Sequence, residues 1–185
     1  SNLSFDQQVA YAESALSSGD EDAMADAYDA LSDSLEDENN DDPALNSLAA
    51  ELAVGASGLT NTLPDLVDAA VNGAFSDQTE LANTVNDVLG DVDYTYIDEA
   101  NGQLDDIQAN GGEVTAEQYV FVAAGLIMKE GAANGGVENL DGTAGQGQES
   151  SDFIDAAVAD LQSRGESSDL LDDLVAASVV EGDLQ

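Results

Sequence analysis

Carboxylates are the residues of this chain that could do chemistry, and four of them follow helical spacing. Asp22, Asp26, Asp29 and Asp33 lie three or four residues apart, which places them within about 60° of one another on one helix face. Like charges at this spacing destabilise an isolated helix by about 0.2–0.5 kcal/mol per pair, and no Lys or Arg is interleaved. This acidic stripe is interpreted either as a face that holds water and cations in a salt-rich setting or as a docking surface for a basic partner.

A second carboxylate pattern follows part of the spacing of a calcium-binding loop. Positions 1, 3, 5 and 9 of an EF-hand count are filled by Asp91, Asp93, Thr95 and Glu99. Tyr96 stands at position 6, where the loop needs Gly, and Gly102 at position 12, where it needs a bidentate Glu. A second count that starts at Asp141 fails at the same two positions. The chain is therefore expected to bind Ca²⁺, Na⁺ or K⁺ weakly at such carboxylates and to use no other cofactor.

The missing residue types exclude most catalytic chemistry. The chain has no Cys and no His, so it has no thiolate nucleophile, no imidazole base and no thiolate or imidazole metal site. Two carboxylates alone can hydrolyse glycosides, but no Trp is present to form a sugar platform and no pair stands out. We therefore predict that the protein is not an enzyme.

The charge balance defines the class of partner. The 185 residues include 40 Asp and Glu, whereas Lys129 and Arg164 are the only basic residues, for a formal net charge of -38. Such a chain cannot neutralise a phosphate backbone, which excludes nucleic acid as a ligand. The expected partner is a protein with a basic surface, or a further copy of the chain.

The elements that must position these carboxylates are predicted to be helices. Apolar residues recur every three or four positions in most of the chain, as in the set Phe5, Val9, Ala12 and Leu16. We predict an all-α fold of eight or nine short helices, stacked as antiparallel hairpins in a single domain over 1–185. An acidic linker at 36–43 and a Gly/Asn-rich loop at 131–150 are expected to connect helices; the loop is either functional or mobile.

One apolar run is long enough to raise the question of a membrane. It spans Tyr119 to Met128 and follows Thr115 and Gln118, which have capping-box spacing. A helix needs roughly 20 apolar residues to cross a bilayer, so this run is too short. It is predicted to be a central buried helix, with a buried strand as the alternative.

The first two predicted helices resemble a tetratricopeptide-type hairpin. Ala12, Gly19, Tyr28 and the Ala30–Leu31 pair fall near that repeat's small, turn, aromatic and small positions, although the early Trp is missing and Pro43 comes too late. The overall plan is similar to degenerate tetratricopeptide-like periplasmic lipoproteins, including the helical component associated with some TRAP transporters. The resemblance implies an extracytoplasmic accessory protein, periplasmic or at the cell surface, that a lipid anchor upstream of Ser1 could hold.

Three functions are compatible with these features. The leading hypothesis is an exported, salt-adapted helical scaffold or accessory protein that acts by binding a partner or by assembly. The first alternative is a DNA-mimic inhibitor that presents carboxylates to a basic protein. The second is a structural subunit of an extracellular or viral assembly, which predicts exposed apolar segments such as Tyr119 to Met128.

Overall fold

The computed structural model describes residues 3–37, 41–64, 68 and 78–178, and these residues are predominantly helical. They form nine α-helices: α1 (Phe5–Ser18), α2 (Glu21–Asp37), α3 (Pro43–Ala56), α4 (Leu59–Thr62), α5 (Gln78–Asp87), α6 (Tyr94–Ala109), α7 (Ala116–Ala133), α8 (Gln148–Ser163) and α9 (Asp169–Ser178). Short 3₁₀ turns lie at Leu89–Asp91 and Val137–Asn139. No strand occurs in these ranges, where the only β pairings are two isolated bridges, from Thr143 to Gln146 and to Gly147. The all-α prediction is confirmed, whereas a tetratricopeptide-like stack stays a prediction.

Internal contacts divide the chain into two compact units. The first unit comprises residues 1–61 and 93–118, and the second comprises 62–92 and 119–185. The first contains α1–α3 and α6, and the second contains α5, α8, α9 and most of α7. The predicted apolar stripe over 63–74 lies largely outside the described residues.

Local capping chemistry explains why α1 and α2 form a hairpin. Gly19 ends α1 in the left-handed conformation, with φ 68°, which glycine adopts without the steric cost that a Cβ imposes. Asp20 then accepts the backbone N–H of Ala23 at 2.9 Å and so caps the start of α2. Gln8 of α1 accepts a hydrogen bond from Ser34 of α2, so the two helices run antiparallel.

Helix α3 is the centre of the first unit and packs against both α2 and α6. Its buried face is rich in small residues, including Ala49, Ala53 and Gly55, which lies directly under the Met24 side chain. The backbone N–H of Asp93, just before α6, donates to Ser57 just after α3 at 2.8 Å. The end of α3 therefore meets the start of α6, and the two helices are antiparallel.

The apolar run forms the buried part of α7. The Thr115 and Gln118 side chains and backbones make the reciprocal hydrogen bonds of a capping box, at 2.9 and 3.1 Å, which confirms that helix start. Every residue from Tyr119 to Met128 is buried, which confirms the predicted buried helix and contradicts the exposed segment that the assembly alternative predicts here. In the described part of the chain, no helix is long and apolar enough to cross a membrane.

In the structure, the two connections between helices are shorter than the ranges predicted from the sequence. Helix α2 extends to Asp37 and α3 begins at Pro43, with Asp42 as its N-cap; residues 38–40 lie outside the described ranges. Helix α7 continues to Ala133 and α8 begins at Gln148, so the second connection covers 134–147 and includes a 3₁₀ turn.

Candidate functional site

The acidic stripe lies along α2 in the first unit, and all four of its Asp side chains are exposed. Tyr96 of α6 lies beside Asp29 and interacts with it electrostatically. Partial burial raises the pKa of Asp29 above its usual value, and the negative charges of Asp33, Asp26 and Glu99 raise it further. A raised carboxyl pKa means that the folded protein resists the negative charge at this position.

The candidate metal residues occupy a helix start and not a cation loop. Asp93 is the N-cap of α6 and accepts the backbone N–H of Thr95 at 3.0 Å. Asp91 ends the preceding 3₁₀ turn, and Glu99 lies one turn into α6. Among the described residues, no group of three or more Asp or Glu is placed to hold one metal ion. Weak cation binding by these residues stays a prediction.

The structure places Asp93 and Glu99, two of the candidate metal residues, next to the acidic stripe of α2. The negative charge of Glu99 helps to raise the pKa of Asp29. The pKa of Tyr96 is raised mainly by partial burial and by the charge of Asp29, and further by the charges of Asp93 and Asp26. We call the surface formed by the stripe together with these two residues the acidic face, with members Asp22, Asp26, Asp29, Asp33, Asp93 and Glu99. The sequence did not predict that the stripe and the candidate metal residues are neighbours, because helix periodicity does not show which helices pack together.

A chain of buried and half-buried polar side chains runs beside the acidic face, and no sequence pattern predicted it. The Asn110 amide N–H donates to Asn46 Oδ1 at 2.9 Å, and the Asn46 amide N–H donates to Gln103 Oε1 at 3.1 Å. The Gln103 amide N–H donates to the Tyr28 hydroxyl at 3.5 Å, and that hydroxyl donates to Glu99 Oε2 at 2.7 Å. Burial and this hydrogen bond to Glu99 raise the pKa of Tyr28 well above its ordinary value. We call these linked residues the amide chain.

A signal for the amide chain is present in the sequence. Asn46 lies between Leu45 and Leu48 on the apolar side of α3 and is only 4% exposed. A buried amide needs hydrogen-bond partners, because leaving one unpaired costs about 1–3 kcal/mol. The sequence alone could thus have predicted that Asn46 has partners, but not which helix supplies them.

A cleft of about 250 Å³ opens at the Asn110 end of the amide chain, within the first unit. Asn46, Gln103 and Asn110 line it together with Ser32 and Leu35 of α2. Three exposed carboxylates complete the lining, namely Glu36, Asp41 and Asp106. The cleft therefore combines an amide wall with an acidic rim.

Both basic residues lie in the second unit, where each pairs with carboxylates. Lys129 is 3.3 Å from Glu149, and Arg164 lies 3.6 Å from Asp160 and 3.4 Å from Glu166. Residues 1–61 and 93–118 contain 21 Asp and Glu and no Lys or Arg. The first unit therefore has no side-chain cation of its own to balance its acidic face.

One buried carboxylate of the second unit has a structural role. Glu130 of α7 is 4% exposed, and its two oxygens accept the backbone N–H groups of Gly147 and Ser150 at 2.6 and 2.8 Å. These N–H groups lie at the start of α8, where helix geometry leaves donors unpaired and favours negative charge. Glu130 thus caps a helix that begins 18 residues after it in the sequence.

The functional hypotheses for this chain rest on its own residues and their geometry. The comparisons found no protein-family model, no curated protein and no solved structure that matches the chain. The acidic face and the adjoining cleft of the first unit are therefore the features from which a function is inferred.

Proposed function

We propose that this protein is a non-enzymatic, salt-adapted helical binding protein that works outside the cytoplasm and docks its acidic face onto a basic protein surface. The observation that carries the proposal is the first unit's charge: 21 carboxylates, no Lys or Arg, and an exposed acidic stripe against which α6 adds further carboxylates. The resemblance of α1 and α2 to a tetratricopeptide hairpin supports an accessory or scaffold role, since such repeats bind proteins.

The electrostatics of the acidic face favour a cationic partner. Asp29 lies near Asp33, Asp26 and Glu99, and its pKa is raised first by partial burial and then by the negative charges of these three residues. A basic surface would replace like-charge repulsion by attraction, and complementary charge speeds association and selects among partners. The same face on a second copy would repel, so docking to a basic partner is favoured over assembly through this face.

Binding of a cationic peptide tests the proposal. A fluorescein-labelled peptide of alternating Arg and Gly is titrated by anisotropy at low and at molar KCl. The variant Asp26→Asn/Asp29→Asn/Asp33→Asn is compared with the control Asp152→Asn/Asp155→Asn/Asp172→Asn, which removes the same charge from exposed positions of the second unit. We expect the stripe variant to bind about tenfold more weakly than the control.

Two outcomes decide between this function and the alternatives. Equal loss of affinity in both variants would show that the acidity acts only through net charge, as expected of general salt adaptation. If a basic DNA-binding protein replaces the peptide and duplex DNA displaces this chain from it, the DNA-mimic hypothesis is supported in place of the scaffold.

A further inference from the structure

We propose that the cleft of the first unit is a recognition pocket for the guanidinium group of an Arg side chain on the basic partner. The inference rests on the proposed function and names the partner group that its surface would bind. It is carried by the direction of the amide chain, by the acidic rim and by the size of the cleft.

The direction of the amide chain is fixed by its charged end. A carboxylate can only accept hydrogen bonds, so the Tyr28 hydroxyl must donate to Glu99. The Tyr28 oxygen then accepts from Gln103, whose carbonyl in turn accepts from the Asn46 amide. Asn46 completes the sequence by accepting from Asn110.

This direction sets which groups the wall of the cleft offers. Each amide directs an N–H towards Glu99, and the Asn110 carbonyl oxygen is left as the last acceptor at the cleft end of the chain. Ser32, which also lines the cleft, donates its hydroxyl to the backbone carbonyl of Asp29, so its oxygen can accept. The wall therefore offers the acceptor oxygens of Asn110 and Ser32 to a hydrogen-bond donor, while each amide also keeps a second N–H.

The acidic rim favours a cationic hydrogen-bond donor over an acceptor. Glu36, Asp41 and Asp106 line the opening, and the first unit contains no Lys or Arg that could neutralise them. The pKa of Asp106 is raised by partial burial and by the charge of the neighbouring Asp105. A bound cation would lower this pKa by stabilising the ionised carboxylate. A guanidinium group supplies five N–H donors in a planar fork together with a permanent positive charge.

The size of the cleft favours a side chain over a free ligand. Its volume of about 250 Å³ is below the roughly 300–1,000 Å³ of sites that bind drug-sized molecules. Its position also fits a docking surface. Glu36 continues the i, i+3 and i, i+4 spacing of the acidic stripe, so the carboxylates from Asp22 to Glu36 span about 21 Å of α2 and end at the cleft.

The test uses amino-acid amides as probes of the full chain. N-acetyl-arginine amide is titrated by NMR, with N-acetyl-citrulline amide as a neutral probe of nearly the same shape. The side-chain NH₂ signals of Asn46, Gln103 and Asn110 report on the cleft. We expect saturable shifts of these signals with the arginine probe and none with the citrulline probe.

Two neighbouring Asp residues provide the matched variants. Asp106→Asn removes a rim charge, whereas Asp105→Asn makes the same change on the adjacent α6 residue that does not line the cleft. We expect Asp106→Asn to weaken the arginine probe about fivefold more than Asp105→Asn does. Both positions are exposed, so both variants should keep the fold, which circular dichroism checks.

The outcomes separate this inference from the proposed function. Equal effects of the two Asp variants, or equal shifts with both probes, would overturn the guanidinium pocket even if the Arg-Gly peptide binds through the stripe. Localised shifts with the arginine probe together with a peptide affinity that does not depend on the stripe would keep the pocket and overturn docking by the acidic face.

Discussion

Glu130 shows how a single carboxylate can hold two elements of the second unit together. We expect Glu130→Gln to lower the free energy of unfolding by about 1–3 kcal/mol, because the amide offers one acceptor where two backbone N–H groups need one each. One of these N–H groups would then face an NH₂ group, and the helix start would lose a favourable negative charge. Chemical denaturation followed by circular dichroism in molar KCl measures the change.

The control is Glu149→Gln, which neutralises a nearby carboxylate of the same type. Glu149 is 46% exposed and pairs with Lys129, and exposed ion pairs contribute about 0–1 kcal/mol. A loss for Glu130→Gln no larger than that for Glu149→Gln would contradict the capping role.

Tyr28 links the amide chain to the acidic face through its hydroxyl alone. We expect Tyr28→Phe to lower the stability by about 1–2 kcal/mol, because Glu99 loses a donor and Gln103 loses an acceptor while the ring packing is kept. The same denaturation experiment measures it. Tyr11→Phe is the control, since that ring is 37% exposed, and a loss as large there would contradict the assignment.

Sequence patterns predicted the acidic stripe but not the side chains that lie against it. Helical spacing alone places Asp22, Asp26, Asp29 and Asp33 on one face of α2, and the structure shows all four exposed. The contacts of Tyr28 and Asn46 join residues between 57 and 75 positions apart. Such contacts depend on which helices are neighbours, and that information is not present in local periodicity.

At the level of elements, apolar periodicity and capping residues predicted most helices. Gly19 and the Thr115–Gln118 capping box stand where the structure ends α1 and begins α7. Element boundaries were less accurate, because the predicted acidic linker included residues 36–37 and the predicted Gly/Asn-rich loop included residues 131–133, which continue the preceding helices.

Two glycines within helices have opposite environments, so replacing each by Ala is expected to change the stability in opposite directions. A Cβ at Gly131 of α7 would lie 2.6 Å from Val137 Cγ1 and 3.2 Å from the Val137 backbone nitrogen. We therefore expect Gly131→Ala to lower the stability by about 1–3 kcal/mol, since the 3₁₀ turn that carries Val137 would have to move. Thermal melts in molar KCl measure the shift.

Gly102 is the matched position within α6. A Cβ there meets no atom within 4 Å, and Ala is favoured over Gly in a helix interior by roughly 0.5–1 kcal/mol. We expect Gly102→Ala to raise the stability by about that amount. The same sign of change in both variants would show that helix propensity, and not contact with Val137, decides the effect.

For the whole molecule, the two units share a strongly acidic composition but differ in their basic residues. Both cations lie in the second unit, paired with carboxylates, whereas the first unit has none. Salt screens charges over a Debye length of about 10 Å at 0.1 M and 3 Å at 1 M. Stability is therefore expected to rise with KCl, because repulsion between carboxylates is screened in both units.

Acid should stabilise this protein at low salt, in contrast to the acid denaturation of most proteins. The pKa values of Asp29, Glu51 and Asp106 are all raised, first by burial and then by neighbouring carboxylates. A carboxyl with a raised folded pKa binds its proton more tightly in the folded state, so stability rises as the pH falls through that pKa. The gain is complete below the unfolded values near 4.

Thermal melts at low salt between pH 7 and pH 4 measure this dependence. The lowered pKa of Asp141, which Thr143 stabilises by hydrogen bonds, works in the opposite direction but involves a single exposed group. In molar KCl the gain should shrink but not vanish, because screening removes the repulsion and leaves the effect of burial. A melting temperature that falls steadily from pH 7 to pH 5 at low salt would mean that the carboxylates are stabilised as ions, and the electrostatic basis of the acidic face would then be wrong.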